Sequence, residues 1–343
     1  MNKIACVNIK DSHLLDHIAP LSFILDSNLY IEEEKNFSLV KNLYPFIKSV
    51  KSSPIDFVYL AKKYDFLFEC KFWINTSLYK TFYNEKLKFI FSPHGNSDKG
   101  HIKNDLLKAY SSQDAVLLYG DHMIDMLKKY DVFKSLKSYV ICGNYRLSYY
   151  LHFKEFYDQK VYDDIFKNLD PRKKTIIYAP TWKDLENSTS FFDIYSSLLE
   201  SFNEKYNLII KIHPLLEERN PKEFYKIINQ KFLNKNIVQL IDYPLVYPIL
   251  NKCDIYLGDF SSIGYDFLYF DRPMFFLKKQ NQESSYLQKC GITIEEKYFS
   301  NIFNFIDKNL DKNFSNIKKE TYEYAFGKTF NINQIKKNII KLF

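Results

Sequence analysis

Short apolar runs alternate with longer, helix-patterned segments along the whole of this chain, and that rhythm belongs to parallel sheets joined by crossover helices. In the first half the strand candidates are "KIACVNI", "NLYIE", "DFLFEC", "LKFIFS", "AVLLYG" and "YVICG". In the second half they are "TIIYAPT", "NLIIKIH", "IVQLI", "DIYLGD" and "PMFFL". Two doubly wound α/β units result. With 343 residues the chain exceeds one comfortable core, which independently predicts two domains of about 150 residues each. A charged amphipathic stretch, "YLHFKEFYDQKVYDDIFKNLDPRKK", ends in Asp170-Pro171 and places the boundary near residues 150 to 172. The expected division is 1–155, 156–316 and a polar, lysine-rich tail, 317–343, whose periodic Ile and Phe predict helices packing back on the body.

Composition narrows the function classes. Hydrophobic residues make up 46% and aromatics 18%, enough for filled interiors and too many for disorder. The net charge of +7 comes almost wholly from lysine, since Arg146, Arg172, Arg219 and Arg272 are the only arginines. Nucleic-acid readers cluster arginine with aromatics on one face, and no such cluster is present, so nucleic acid is not expected as a partner. A mild attraction to anionic substrates or membrane surfaces fits better. Cys6, Cys70, Cys142, Cys253 and Cys290 are odd in number, widely spaced and set in apolar runs, which predicts reduced core residues. The N-terminus lacks the pattern of a signal peptide, and no segment reaches 18 apolar residues, so a cytoplasmic chain is expected, meeting a membrane only at its inner face.

The unusual polar residues sit where strands end. In open α/β sheets ligands bind beyond the carboxyl ends of the strands, where helix N-termini offer free NH groups. Four junctions are marked in this way: "FSPHGNSDKG", "YAPTWKD", "KIHP" and "GDFSS". Ser261 and Ser262 would open a helix and hold a diphosphate with hydroxyls and backbone together, or else be ordinary Ser caps. His213, pinned between a strand and Pro214, could donate to a phosphate oxygen, or be a capped loop histidine. His94, between Pro93 and Gly95, suits proton removal from an alcohol, with a structural loop role as the alternative. Asp98 could orient its ring and Lys99 could contact a phosphate. Pro180, Thr181 and Trp182 would present backbone and an aromatic face, unless Trp182 only packs. His13 and His17 lie four apart on a predicted helix, where both would be ordinary helix surface unless one of them lines the acceptor side; a metal pair would need a third ligand that the context does not supply.

Taken together, "PHG…DKG", "YAPTWKD", "KIHP" and "DIYLGDFSSIGYDFLYFDRPMFFL" resemble the CDP-glycerol glycerophosphotransferase family, the teichoic-acid and capsule polyol-phosphate polymerases and primases, over about Lys88 to Leu277. The resemblance implies a GT-B fold, two Rossmann-like domains with an interdomain cleft, and a transferase that moves a polyol phosphate from a CDP-activated donor to a glycan or lipid-linked acceptor, releasing CMP. It implies His94 as base on the acceptor hydroxyl, His213 as a diphosphate contact, and Asp259, Ser261 and Ser262 as the Asp-Tyr-Ser-Ser motif with Phe260 in the tyrosine position. Gly95, Lys99, Pro180 and Thr181 complete the expected substrate contacts. Asn96, Ser97, Asp98 and Lys99 depart from the Thr and downstream Lys common after His-Gly, which points to an altered acceptor side. No cofactor is called for, with Mg2+ the one ion left open, and peripheral membrane contact is an expected option. The competing readings are a GT-B glycosyltransferase using a sugar nucleotide and a non-catalytic nucleotide-binding subunit of an envelope-polymer complex.

Overall fold

A computed structural model describes residues 3–98, 104–184, 187–229, 234–280, 282 and 284–342, without the side chains of 104–106. The chain divides into two compact units, one made of Met1–Asn96, Lys103–Phe153 and Glu323–Phe343, the other of Ser97–Ile102 and Lys154–Tyr322. The second half of the expected tail is therefore a structural part of the first unit.

In the first unit the strands are β1 (Ile4–Asn8), β2 (Asn28–Ile31), β3 (Lys48–Lys51), β4 (Phe66–Glu69), β5 (Lys88–Phe91), β6 (Ala115–Leu118) and β7 (Tyr139–Ile141). They form one all-parallel sheet in the order β3-β2-β1-β4-β5-β6-β7. The central strands are buried and read as continuous apolar runs, as a sheet covered on both faces requires. One face packs an aromatic-rich core around Val7, Leu67, Trp73 and Phe89. The other is covered by the helices Leu15–Ile24 and Tyr145–His152, against which the terminal helix Ile332–Ile340 also packs. That last helix starts on a capping box in which Asn331 and Gln334 satisfy each other's backbone NH groups.

In the second unit the strands are β8 (Lys174–Ala179), β9 (Tyr206–Lys211), β10 (Ile237–Leu240), β11 (Ile255–Gly258), β12 (Met274–Lys278) and β13 (Ile292–Glu295). Their order, β10-β9-β8-β11-β12-β13, is also fully parallel. Both sheets thus reverse direction once, between β1 and β4 in the first and between β8 and β11 in the second. At such a reversal the flanking crossover connections leave to opposite faces and open a crevice beyond the strand ends.

Eleven of these strands coincide with apolar runs of the sequence; β3 and β13 do not. Both lie at sheet edges, and β3 (Lys-Ser-Val-Lys) has a single apolar residue because an edge strand faces water on one side. All five cysteines are buried thiols. No helix among the described residues is long and apolar enough to cross a membrane.

Candidate functional site

In the second unit three of the marked loops follow the adjacent strands β9, β8 and β11. Register pairs Ala179 with Gly258, the last residues of β8 and β11, so Pro180 and Asp259 leave the sheet side by side at its reversal point. The Asp259 carboxylate is buried there and accepts from the Thr181 NH at 2.8 Å, the Ser190 NH at 2.8 Å and the Ser190 hydroxyl at 2.9 Å. These bonds tie together the ends of β8, β11 and the loop before helix Phe191–Glu200. Asp259 is expected among the substrate contacts, and these three bonds run from its oxygens to the loop itself. Pro180 and Thr181 are buried beside it. Gly258 precedes it because a Cβ there would sit 2.2 Å from the Tyr256 hydroxyl, whose ring runs along the same strand face. That hydroxyl is buried without a hydrogen-bond partner among the described residues, and burial, then the Asp259 carboxylate, holds its pKa well above the ordinary phenol value.

Ser262 is the residue before helix Ile263–Phe267, and its side chain makes no capping bond, so the ordinary cap is not what it forms. The Ser261 and Ser262 carbonyls accept from the Gly264 and Tyr265 NH groups at 3.1 and 3.0 Å. A helix of five residues has little macrodipole, so any hold on an anion here comes from hydroxyls and local NH groups, a correction to the dipole expected from sequence.

His213 ends the β9 segment and caps helix Pro214–Arg219. Its Nδ1 accepts from the Leu215 NH at 3.2 Å, which places the proton of the neutral ring on Nε2 and makes that nitrogen a donor. On the same short helix, Arg219 stacks its guanidinium 4.2 Å from the centre of the Trp182 ring. Trp182 also packs against the apolar core, so the packing role weighed for it is present. Asp98 accepts from the Tyr265 hydroxyl at 2.8 Å and the Leu287 NH at 3.2 Å, within this same unit. Lys99 lies outside the described residues.

In the first unit His94 follows β5, and Gly95 turns the chain behind it with a φ of 91°, in the left-handed region. Polar interaction with the Cys70 backbone, just past β4, favours the protonated form of the His94 ring, while Asp98, expected to orient the ring, bonds to Tyr265 and Leu287 instead. His94 meets solvent, yet enough protein surrounds it for desolvation to lower its pKa below the usual imidazole value. The Cys70 backbone and Asp11 oppose that shift, while Arg146 and Lys71 add to it. Water reaching the ring offsets part of the depression.

Two more histidines complete the cluster. The His13 and His17 rings stand edge-on to His94 with centroids 5.9 and 6.2 Å away. His17 is buried and its Nδ1 pairs with the Tyr119 hydroxyl at 3.0 Å. Burial, then repulsion from Arg146, holds its pKa well below the ordinary value, so it is neutral. Behind it Ser92, Tyr119 and Tyr145 link through their hydroxyls. Arg146 donates to Asp16 in a buried ion pair, Nε to Oδ2 at 2.9 Å. Glu69, at the end of β4, is pushed up to about 8 by burial, against the pull of Lys71, and so keeps its proton at neutral pH. Among the described residues no group of three His, Cys, Asp or Glu could hold a metal ion.

Sequence reasoning named His94, His213 and the serines as candidates; it did not single out Tyr119, Asp16, Arg146 or Arg219, which the structure places around the candidate histidines. A signal existed for the arginines: in a chain that uses lysine almost everywhere, each arginine marks a place where a planar, multidentate cation is needed.

Comparison with known proteins agrees with this layout. The sequence pattern of the family described as CDP-Glycerol:Poly(glycerophosphate) glycerophosphotransferase matches residues 58–331. The teichoic acid glycerol-phosphate primase of Bacillus subtilis (strain 168) is 27% identical over 171 residues, 49% of this chain and 40% of that protein. The chain therefore spans well under two thirds of that relative. Among solved structures, the wall teichoic acid polymerase TagF superposes with a TM-score of 0.67 at 16% identity, over 99% of this chain and 87% of that one. The UDP-GlcNAc 2-epimerase from Neisseria meningitidis, solved bound to UDP-GlcNAc, gives 0.65 at 14% identity, over 99% and 98%. At such identities the structural likeness establishes the fold.

Proposed function

Because the chain belongs to the CDP-glycerol:poly(glycerophosphate) glycerophosphotransferase family, we propose that it transfers a polyol phosphate, glycerol phosphate first among them, from a CDP-activated donor to a hydroxyl of a cell-envelope glycan or lipid-linked acceptor, with release of CMP. The observation that carries this reading is His94: a solvent-facing imidazole, flanked by the His13 and His17 rings and with its pKa lowered by its surroundings, is a general base ready at neutral pH. We assign the acceptor half of the chemistry to the first unit, about residues 1–155, and the nucleotide half to the second, about 156–316. The segment from about 317 on supplies covering helices.

The step balances without a covalent intermediate. The acceptor oxygen forms a bond to the β-phosphorus of the donor while its proton passes to the second ring nitrogen of His94. The bond from that phosphorus to the bridging oxygen breaks, and its electron pair leaves with CMP. The Nε2–H of His213 and the hydroxyls of Ser261 and Ser262 hydrogen-bond the diphosphate as charge shifts to the leaving group. Gly95 and Lys99 serve the same contacts from the loop after β5, and Asp259, with Pro180 and Thr181, keeps the donor loop in shape. A lipid-linked acceptor would bring the enzyme to the inner face of the cell membrane as a peripheral protein.

Incubation with CDP-glycerol and a hydroxyl acceptor, followed by mass analysis of the nucleotide released, tests the reading. CMP supports it; UDP from a sugar nucleotide, with CDP-glycerol untouched, replaces it by glycosyl transfer. Nucleotide binding without any turnover would indicate the subunit role. His94→Ala should abolish CMP release while donor binding persists, and full activity in that variant would remove the proposed base.

A further inference from the structure

The helix Thr76–Phe82 in the first unit is apolar on both sides. Inward, Tyr79 packs against Phe57 and Phe89 with ring centroids 5.9 and 6.2 Å apart, and Lys80 is anchored to Asp114, which together fix the helix on the body. Outward, Leu78 is 53% exposed and Phe82 71% exposed, four residues apart and so on one face. Ile74, just ahead of the helix, is 75% exposed. A two-turn surface helix ordinarily turns polar residues to water, so this face lacks its complement.

The surroundings of that face are specific. Tyr83, the residue after Phe82, is exposed beside it, with the Lys62 ammonium 5.6 Å from its ring centre. Lys86 is exposed in the turn that follows. The nearby carboxylates are Asp56, whose side chain caps helix Phe57–Lys63 by accepting from the Tyr59 NH at 2.9 Å, and Glu85. Bulky apolar side chains in front, a tyrosine at their edge and flexible ammonium groups beside them match the layering of a lipid interface: acyl chains, then headgroup level, then anionic phosphates.

We infer that the Ile74–Leu78–Phe82 edge inserts into an anionic bilayer, with Lys62 and Lys86 on lipid phosphates; this deepens, and rests on, the proposal of a lipid-linked acceptor. A protein partner fits the face less well. Stable interfaces bury about 800 Å² per partner, far more than three side chains on one short helix offer, whereas shallow insertion needs only such a wedge plus cations.

Co-sedimentation of the full chain with phosphatidylglycerol or phosphatidylcholine vesicles, at low and high salt, tests this. The wild type should bind the phosphatidylglycerol vesicles, and salt should weaken the binding. Ile74→Ser, Leu78→Ser and Phe82→Ser combined should weaken it at least about tenfold with an unchanged melting temperature. Lys62→Glu with Lys86→Glu should weaken it and flatten its salt dependence. Both variants should release CMP from CDP-glycerol normally with a water-soluble acceptor. The inference is overturned if the wild type does not bind, if the folded triple variant binds equally well, or if that variant loses self-association while vesicle binding is untouched. A protein that docks through this edge yet releases no CMP would leave the docking standing and remove the proposed function.

Discussion

Replacing Asp259 with alanine separates a carboxylate that shapes the donor loop from one that touches the ligand. In the structure the side chain is buried and accepts three hydrogen bonds, from the Thr181 NH, the Ser190 NH and the Ser190 hydroxyl. The hydroxyl retains a partner in Tyr178, 2.9 Å away, so alanine strands two buried NH groups. Each such group costs roughly 1–3 kcal/mol, which gives a loss of about 2–6 kcal/mol. Against an ordinary stability of about 5–15 kcal/mol that is enough to weaken or unfold the second unit. Asp259→Asn keeps one acceptor oxygen and turns an NH2 toward one donor, so it should cost about 1–3 kcal/mol. Urea denaturation gives these values, and calorimetric titration with CDP on the folded fraction gives binding. Positioning predicts that stability falls in both variants, with binding lost in proportion to the distortion. If Asp259→Ala is as stable as the wild type and yet has lost nucleotide binding, the carboxylate acts on the ligand and the reasoning fails.

The remaining predictions use other parts of the same architecture. Asp16→Ala leaves Arg146 charged and buried without its partner and should destabilise the first unit by about 3–5 kcal/mol, measured by urea melts; a loss under about 1 kcal/mol would mean that water reaches the guanidinium. His17 is held neutral in the fold, whereas the unfolded chain takes up a proton near about pH 6.5, so the stability it contributes is present above that pH and is lost as pH falls below it, at about 1.4 kcal/mol per pH unit. Melts at neutral and mildly acidic pH should therefore show a smaller difference in His17→Gln than in the wild type. Gly258→Ala should cost about 1–3 kcal/mol by driving a methyl into Tyr256, and Tyr256→Phe, which deletes a partnerless buried hydroxyl, should be neutral or slightly stabilising in thermal melts.

How much of this was legible in advance follows from where each signal resides. The buried parallel strands announce themselves because burial on both faces demands unbroken apolar runs such as Ile176–Ala179 and Leu208–Ile210. The loops after β5, β8, β9 and β11 announce themselves because Gly, Pro, His and Ser at strand ends are needless for packing. β3 was silent because Lys-Ser-Val-Lys holds one apolar residue, and β13 because its two isoleucines alternate with polar residues over only four positions, whereas the edge strands β7 and β10 carry longer apolar runs.

The amino-acid order alone determined two doubly wound units, the family and the histidines and serines of the candidate chemistry, because local periodicity and strand-end residues are properties of neighbours along the chain. Only the tertiary structure decided which way a polar side chain points. It turned Asp259 inward onto Thr181 and Ser190, and drew His13 and His17, some eighty residues distant in sequence, against the His94 ring. It also left Leu78 and Phe82 facing outward where periodicity alone would bury them. A residue's type states what it can bond to, but sheet order and register decide what it meets, and those arise from contacts between segments that sequence spacing does not record.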